Sequence, residues 1–183
     1  MRHLPLVTAS VVLSLAAMPA AAGAALPKPK TKLIVPGKSI GGVALNMATA
    51  KAKAQWGPGA KCTKTPASGT VKAQEGCDWR TFDSIISPSA HITFLGGKVY
   101  LVVITGGRDA KTGKLKGHDF AAWKTAKGIA VGSKISAVGP AYPAAKRNLS
   151  EGGSGWDLIT PKAITSFGGT TTVQSISIRL PSV

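Results

Sequence analysis

The sequence predicts an α+β protein made of two tandem repeats, each a short helix packed on a roughly three-stranded antiparallel sheet. Three observations lead there. The stretch Gly42-Val43-Ala44-Leu45-Asn46-Met47, running on to Gln55-Trp56-Gly57-Pro58, is echoed by Gly128-Ile129-Ala130-Val131-Gly132-Ser133, running on to Ala141-Tyr142-Pro143. Each copy is followed by a β-rich run that carries a tryptophan, Trp79 in one and Trp156 in the other. Each then ends in two further β-rich runs around paired glycines, Gly96-Gly97 and Gly168-Gly169. A chain of 183 residues holds two such units as one body of tandem repeats.

The elements follow in chain order. Met1-Arg2-His3, an apolar run from Leu4 to Ala17, and Ala22-Gly23-Ala24 have the order of a secretory signal, so residues 1–24 are expected to be a signal peptide cleaved after Ala24. The run is short for a bilayer and no second run of about 20 apolar residues follows, so no transmembrane segment is expected in the mature chain. The expected location is secreted, extracellular or loosely associated with the cell envelope. Residues 25–33, with Pro27, Pro29 and several lysines, form a basic flexible leader.

Repeat one spans residues 34–106. Pro36-Gly37-Lys38-Ser39 reads as a turn, and Asn46 as the N-cap of a helix from Met47 to about Trp56, ended by Gly57-Pro58-Gly59. In the strand around residues 77–82, Cys77, Trp79 and Thr81 alternate with Asp78, Arg80 and Phe82. His91 to Phe94, Gly96-Gly97 and Val99 to Thr105 make a hairpin. Residues 107–127 connect the repeats, with Phe120 and Trp123 on a helical turn. Repeat two, residues 128–180, starts a helix at Gly132 or Ser133 that breaks at Gly139-Pro140, and then replays the tryptophan strand and the hairpin.

These motifs carry a resemblance. The Gly42-x-x-Leu45-x-Met47 helix start, the Trp56-Gly57-Pro58 helix end, the tryptophan strand and the Phe94-x-Gly96-Gly97-x-Val99 hairpin resemble the SmpA/OmlA (BamE)-like lipoproteins. They also resemble the related β-lactamase inhibitor protein-like family, in which two such units are joined in tandem. The resemblance covers most of residues 34–180 and implies a non-enzymatic protein that binds another protein. Ala48 departs from it, standing where a Thr or Ser cap is usual, and no cysteine near Ala24 would take a lipid. No loop matches the inhibitor's enzyme-plugging residues, so none of those is carried over.

Charge is the strongest compositional signal. Lys and Arg number 23 against 7 Asp and Glu, a formal charge of +16, and loss of Arg2 with the signal leaves +15. Such a surface either serves solubility alone or attracts anionic partners, such as cell-wall polymer, lipid headgroups or an acidic protein, through fields that salt weakens. Nucleic acid is disfavoured, because the basic cluster Arg108, Lys111, Lys114 and Lys116 has no interleaved aromatics. That cluster is a solvated loop or an anion-contacting one.

Cys62 and Cys77 are the two cysteines, and export makes a disulfide between them the expectation. They lack the company of histidines or a second pair that a zinc site needs, so no metal and no cofactor are expected. No zinc-protease helix and no phosphate-binding glycine loop is present. His91 and His118 therefore read as ordinary polar side chains, and no catalytic residue is assigned.

Candidates for binding lie on the strands. Trp79 and Trp156, read as equivalent positions, either pack or serve a binding face. In the last strand of repeat two, Ile176, Ile178 and Leu180 alternate with Ser175, Ser177 and Arg179, whereas Val99 to Ile104 is apolar on both faces. Leu101 and Val103 thus need cover, either beneath Phe120 and Trp123 or from a partner beside Trp79. The leading expectation is a secreted binding module that recognises an extracellular or envelope protein through its sheet face. The alternative is a cationic protein held to anionic envelope polymer.

Overall fold

The computed structural model describes residues 25–70, 72–81, 86–116, 119–148 and 155–181. The signal-peptide segment, Phe82 and His118 lie outside them.

The chain opens with three short strands, β1 Leu33–Val35, β2 Ser39–Ile40 and β3 Val43–Ala44, and a helix, α1 Thr49–Trp56. A four-strand meander follows: β4 Lys61–Thr65, β5 Gln74–Arg80, β6 Ser89–Leu95 and β7 Lys98–Thr105. After β8 Lys124–Thr125 come a 3-10 turn at Ile135–Ala137 and a single helical turn, α2 Val138–Ala141. A second meander closes the chain: β9 Lys146–Asn148, β10 Gly155–Thr160, β11 Ala163–Gly168 and β12 Ser175–Arg179.

The two meanders do not form separate sheets. Their last strands pair antiparallel, Val102 opposite Ile178 and Ile104 opposite Ile176. The result is one eight-stranded antiparallel sheet in the order β4-β5-β6-β7-β12-β11-β10-β9. This overturns the expected α+β architecture of two repeats, each a helix on a three-stranded sheet, since the described residues are mostly strand and the helices are short. Physical reasons are visible at each departure. Pairing β7 with β12 removes two open edges that would otherwise present unpaired backbone groups. All five side chains of β4 are exposed, so this outer strand carries no apolar alternation to announce it. Gly139-Pro140 holds α2 to one turn.

The echoed stretches meet the sheet in the same way. Asn46 N–H donates to Val99 O (2.9 Å) and Val99 N–H to Met47 O (2.9 Å), while Gly132 N–H donates to Val173 O (2.8 Å) and Val173 N–H to Ser133 O (2.8 Å). To make its bond Asn46 takes a φ of 63°, a left-handed conformation that asparagine tolerates. It is therefore part of a turn and not the expected helix cap. That place falls to Ala48, whose side chain can accept nothing.

One face of the large sheet carries the core. Ala90, Ile92 and Phe94 of β6 point there with Ile176 and Ile178 of β12 and Phe167 of β11. α1 and a small sheet, ordered β3-β2-β1-β8, cover this face. In the small sheet β8 runs parallel to β1, with Leu33 opposite Lys124, which fastens the inter-repeat connection to the start of the ordered chain. Trp56 lies edge-on to Trp79 (centroids 5.2 Å) and to Trp123 (5.9 Å), and Phe120 edge-on to Trp123 (5.4 Å). Edge-to-face packing suits the ring quadrupoles. Gly41 is a condition for this cluster, because a Cβ there would stand 2.4 Å from the Trp123 ring.

Candidate functional site

The opposite face of the sheet is the candidate site. Period-2 alternation sends Asp78 and Arg80 of β5, His91 and Thr93 of β6, and Ser177 and Arg179 of β12 to it. Leu101 and Val103 of β7 lie at its centre, opposite Thr93 and His91 on one side and Arg179 and Ser177 on the other. Beyond them Ile164 and Ser166 of β11 and Asp157 of β10 extend it. Leu101 and Val103 are partly exposed.

A β-bulge sets this arrangement. The β6–β7 register slips between Thr93 and Phe94, leaving Tyr100 as the extra residue, so that Val99 joins Val102 and Ile104 on the buried face. Without it Val99 would share a face with Leu101 and Val103, as strict alternation predicts. Phe120 and Trp123 do not cover Leu101 and Val103, and Trp79 does not lie beside them. Phe120, Trp123 and Trp79 are all buried on the core side of the sheet.

The polar part of the face is wired together. His91 Nδ1 lies 2.9 Å from Asp78 Oδ1, and Nε2 lies 2.9 Å from Thr93 Oγ1. A carboxylate only accepts, so Nδ1–H donates to Asp78, and Nε2 is left to share a hydrogen bond with the Thr93 hydroxyl. Arg80 Nη2 stands 3.0 Å from the same Asp78 oxygen. Partial burial pushes the Asp78 carboxyl up, but hydrogen bonds and charge from His91 and Arg80 outweigh it and hold the group below its ordinary value of 3.8. Gly76 makes room for the ring, since a Cβ there would come to 3.2 Å from His91 Cε1.

The order carboxylate, imidazole, hydroxyl is that of a nucleophilic relay, yet the surroundings do not suit acyl transfer. Thr93 is buried at 8% exposure, and β6 is an inner strand whose amides serve the ladders to β5 and β7. Among the described residues the β6 amides on either side of the hydroxyl are committed to those ladders rather than left to hold an oxyanion. The chemistry this cluster offers is a rigid set of donors and acceptors.

The other sequence candidates are dispersed. Trp79 is buried, and its indole N–H donates to Gly57 O (3.2 Å). Trp156 is half-buried, with the Arg147 guanidinium 5.4 Å above its ring. The two are not equivalent: Trp79 is opposite Ala90, well before the Gly96-Gly97 turn, whereas Trp156 is opposite Phe167, which directly precedes Gly168. Arg108, Lys111, Lys114 and Lys116 are exposed on a small hairpin bridged at Arg108 and Leu115. Asp109 fixes its tip, accepting the Thr112 amide (2.8 Å) and hydroxyl (2.9 Å). Those bonds hold the Asp109 carboxyl below its ordinary value. Cys62 and Cys77 form the expected disulfide across β4 and β5. Glu75 completes the one grouping of metal-type ligands among the described residues, and its two sulfurs are spent on each other.

Sequence reasoning missed the Asp78, His91 and Thr93 cluster. Asp78-x-Arg80 and His91-x-Thr93 show the right alternation, but only the register that puts Asp78 opposite His91 joins them. It also missed a groove of about 1020 Å³ across one end of the sheet. Three turns that are distant in sequence bring Lys72, Lys98 and Lys162 to its rim.

Among the described residues no helix is long and apolar enough to cross a membrane. No protein-family model, curated protein or solved structure matches this chain.

Proposed function

We propose that the protein is a secreted, non-enzymatic binding module that recognises another protein through the open face of its eight-stranded sheet. The observation that carries the reading is the make-up of that face. Leu101 and Val103 form a partly exposed apolar centre, with Thr93, His91, Ser177 and Arg179 around it and the Asp78–Arg80 pair further out. An apolar centre within a polar rim is the anatomy of protein interfaces. Size agrees. Eight strands spaced about 4.8 Å apart and about 20 Å long present on the order of 700 Å², near the roughly 800 Å² that one partner contributes to a standard interface. Occlusion of an enzyme is one form such binding takes, in keeping with the resemblance to inhibitor proteins.

The test is Leu101→Lys, at a partly exposed position from which a long side chain can carry its ammonium to water, with circular dichroism to check that the variant is folded. Wild type and variant are used as baits in the source organism's culture medium and envelope extract. Capture by wild type that is lost with the folded variant supports the reading. Equal capture by both overturns it.

A second reading rests on the exposed hairpin of Arg108, Lys111, Lys114 and Lys116, which suits adhesion to anionic envelope polymer. Salt-dependent release from isolated walls, weakened by reversing Lys111, Lys114 and Lys116, would favour it over protein recognition.

A further inference from the structure

We propose that the groove at the end of the sheet is a docking site for an acidic polypeptide loop whose carboxylates are interspersed with apolar side chains. The inference rests on the protein-recognition reading and names the chemistry of the partner segment. The groove, of about 1020 Å³, has a rim of Lys72, Lys98 and Lys162 and a wall of Leu95, Tyr100 and Leu180, and no Asp or Glu is among its described lining residues. A volume of this order is at the upper end of ligand-sized clefts.

The parts are held in place by the fold. Gly96 N–H donates to Ala73 O (2.9 Å), which pins the segment carrying Lys72 against the β6–β7 turn. That turn has Gly96 and Gly97 both at positive φ (58° and 77°), a two-residue hairpin that few other residues could make, and it delivers Lys98. Thr160 fixes the β10–β11 turn by donating to Ala163 O (2.9 Å) and accepting from Ala163 N–H (3.0 Å), and so sets Lys162. Leu180 N–H donates to Tyr100 O (3.0 Å), carrying the last strand on to the bulge and placing Leu180 beside the Tyr100 backbone. The lysines are exposed, whereas the apolar wall is half-buried.

Charge complementarity selects an anion, and the wall selects which kind. A uniform polyanion would neutralise the lysines but leave Leu95, Tyr100 and Leu180 unmatched. A peptide loop with alternating acidic and apolar residues satisfies both. The smaller cavity of about 460 Å³ beside Arg108 and Lys116 differs, because Asp119 is part of its lining.

The experiment uses a fluorescein-labelled peptide of alternating Glu and Phe, with inorganic polyphosphate as competitor, read by anisotropy at near-physiological salt. Wild type should bind the peptide, and Lys98→Glu with Lys162→Glu should weaken binding at least tenfold. Reversal of Lys111 and Lys114 should change it less than twofold, and Lys98→Gln with Lys162→Gln should fall between. Circular dichroism checks each variant's fold. No binding by wild type, equal loss in the groove and hairpin variants, or displacement by polyphosphate at equal charge concentration would each overturn the proposal. Leu101→Lys separates the two readings. If it abolishes partner capture while groove reversal leaves peptide binding intact, only the groove inference fails. If groove reversal abolishes peptide binding while Leu101→Lys leaves capture intact, only the sheet-face reading fails.

Discussion

Asp78 shows how one side chain can serve both the site and the fold. Its carboxylate receives His91 and Arg80 from a half-exposed position on the open face. Because the carboxyl is held below its ordinary value, its contribution to stability is present above the unfolded-state value and is lost as pH falls through the lower folded-state value. Asp78→Asn should therefore melt below wild type at neutral pH, by about 1 kcal/mol or less, since solvent screens partly exposed pairs. The gap should close below about pH 4. Melting curves taken across this range check it, and a gap that widens on acidification would contradict the assignment. Residue types alone showed little of this. In the sequence His91 looks like an ordinary polar side chain, because nothing local pairs it with Asp78. Trp79 was a binding candidate because an aromatic on a strand looks the same whether it faces water or, as here, Trp56.

Elements with contrast on their two faces were the legible ones. The β6–β7 hairpin announced itself through two β-rich runs around Gly96-Gly97, and β10 through β12 did so in the same manner. β4 and β9 did not, because an outer strand that buries nothing has no reason to alternate: Lys61 to Thr65 are all exposed, as are Lys146 and Arg147. What keeps β4 in place is then a question of covalent chemistry as well as hydrogen bonds. Cys62 sits directly opposite Cys77, whose side chain is buried in the core. The bond closes a loop with a sequence separation of 15, which restricts the unfolded chain by about 3 kcal/mol in the loop-entropy account. Replacing both cysteines with serine should lower stability by up to that amount in a urea titration. Hydrogen exchange should show the loss of protection starting at β4, which has a neighbour on one side only. Faster exchange that begins at β10 and β11 instead would mean that the staple acts elsewhere.

At the scale of the molecule, the question is whether the two meanders behave as one body. Self-similarity in the sequence suggested units that each complete their own sheet, and nothing in the residues of β7 or β12 specifies which strand lies beside them. The both-sided apolar character of Val99 to Ile104 was the one available sign, and it fits an inner strand better than an edge. The ladder between β7 and β12 spans Thr105 opposite Ser175 through Leu101 opposite Arg179, and behind it Val102, Ile104, Ile176 and Ile178 are fully buried in a core shared by both halves. Neither half can shed this seam without exposing that apolar surface and a row of backbone groups. Unfolding should therefore be a single cooperative transition. Ile178→Ala, at a fully buried seam position, should cost about 2–5 kcal/mol. That loss should appear equally in hydrogen-exchange protection of β5 and β6 on one side and of β10 and β11 on the other, because each half opens only through the state that parts the seam. A variant in which β10 and β11 lose protection while β5 and β6 keep theirs would show two independently stable meanders lying side by side.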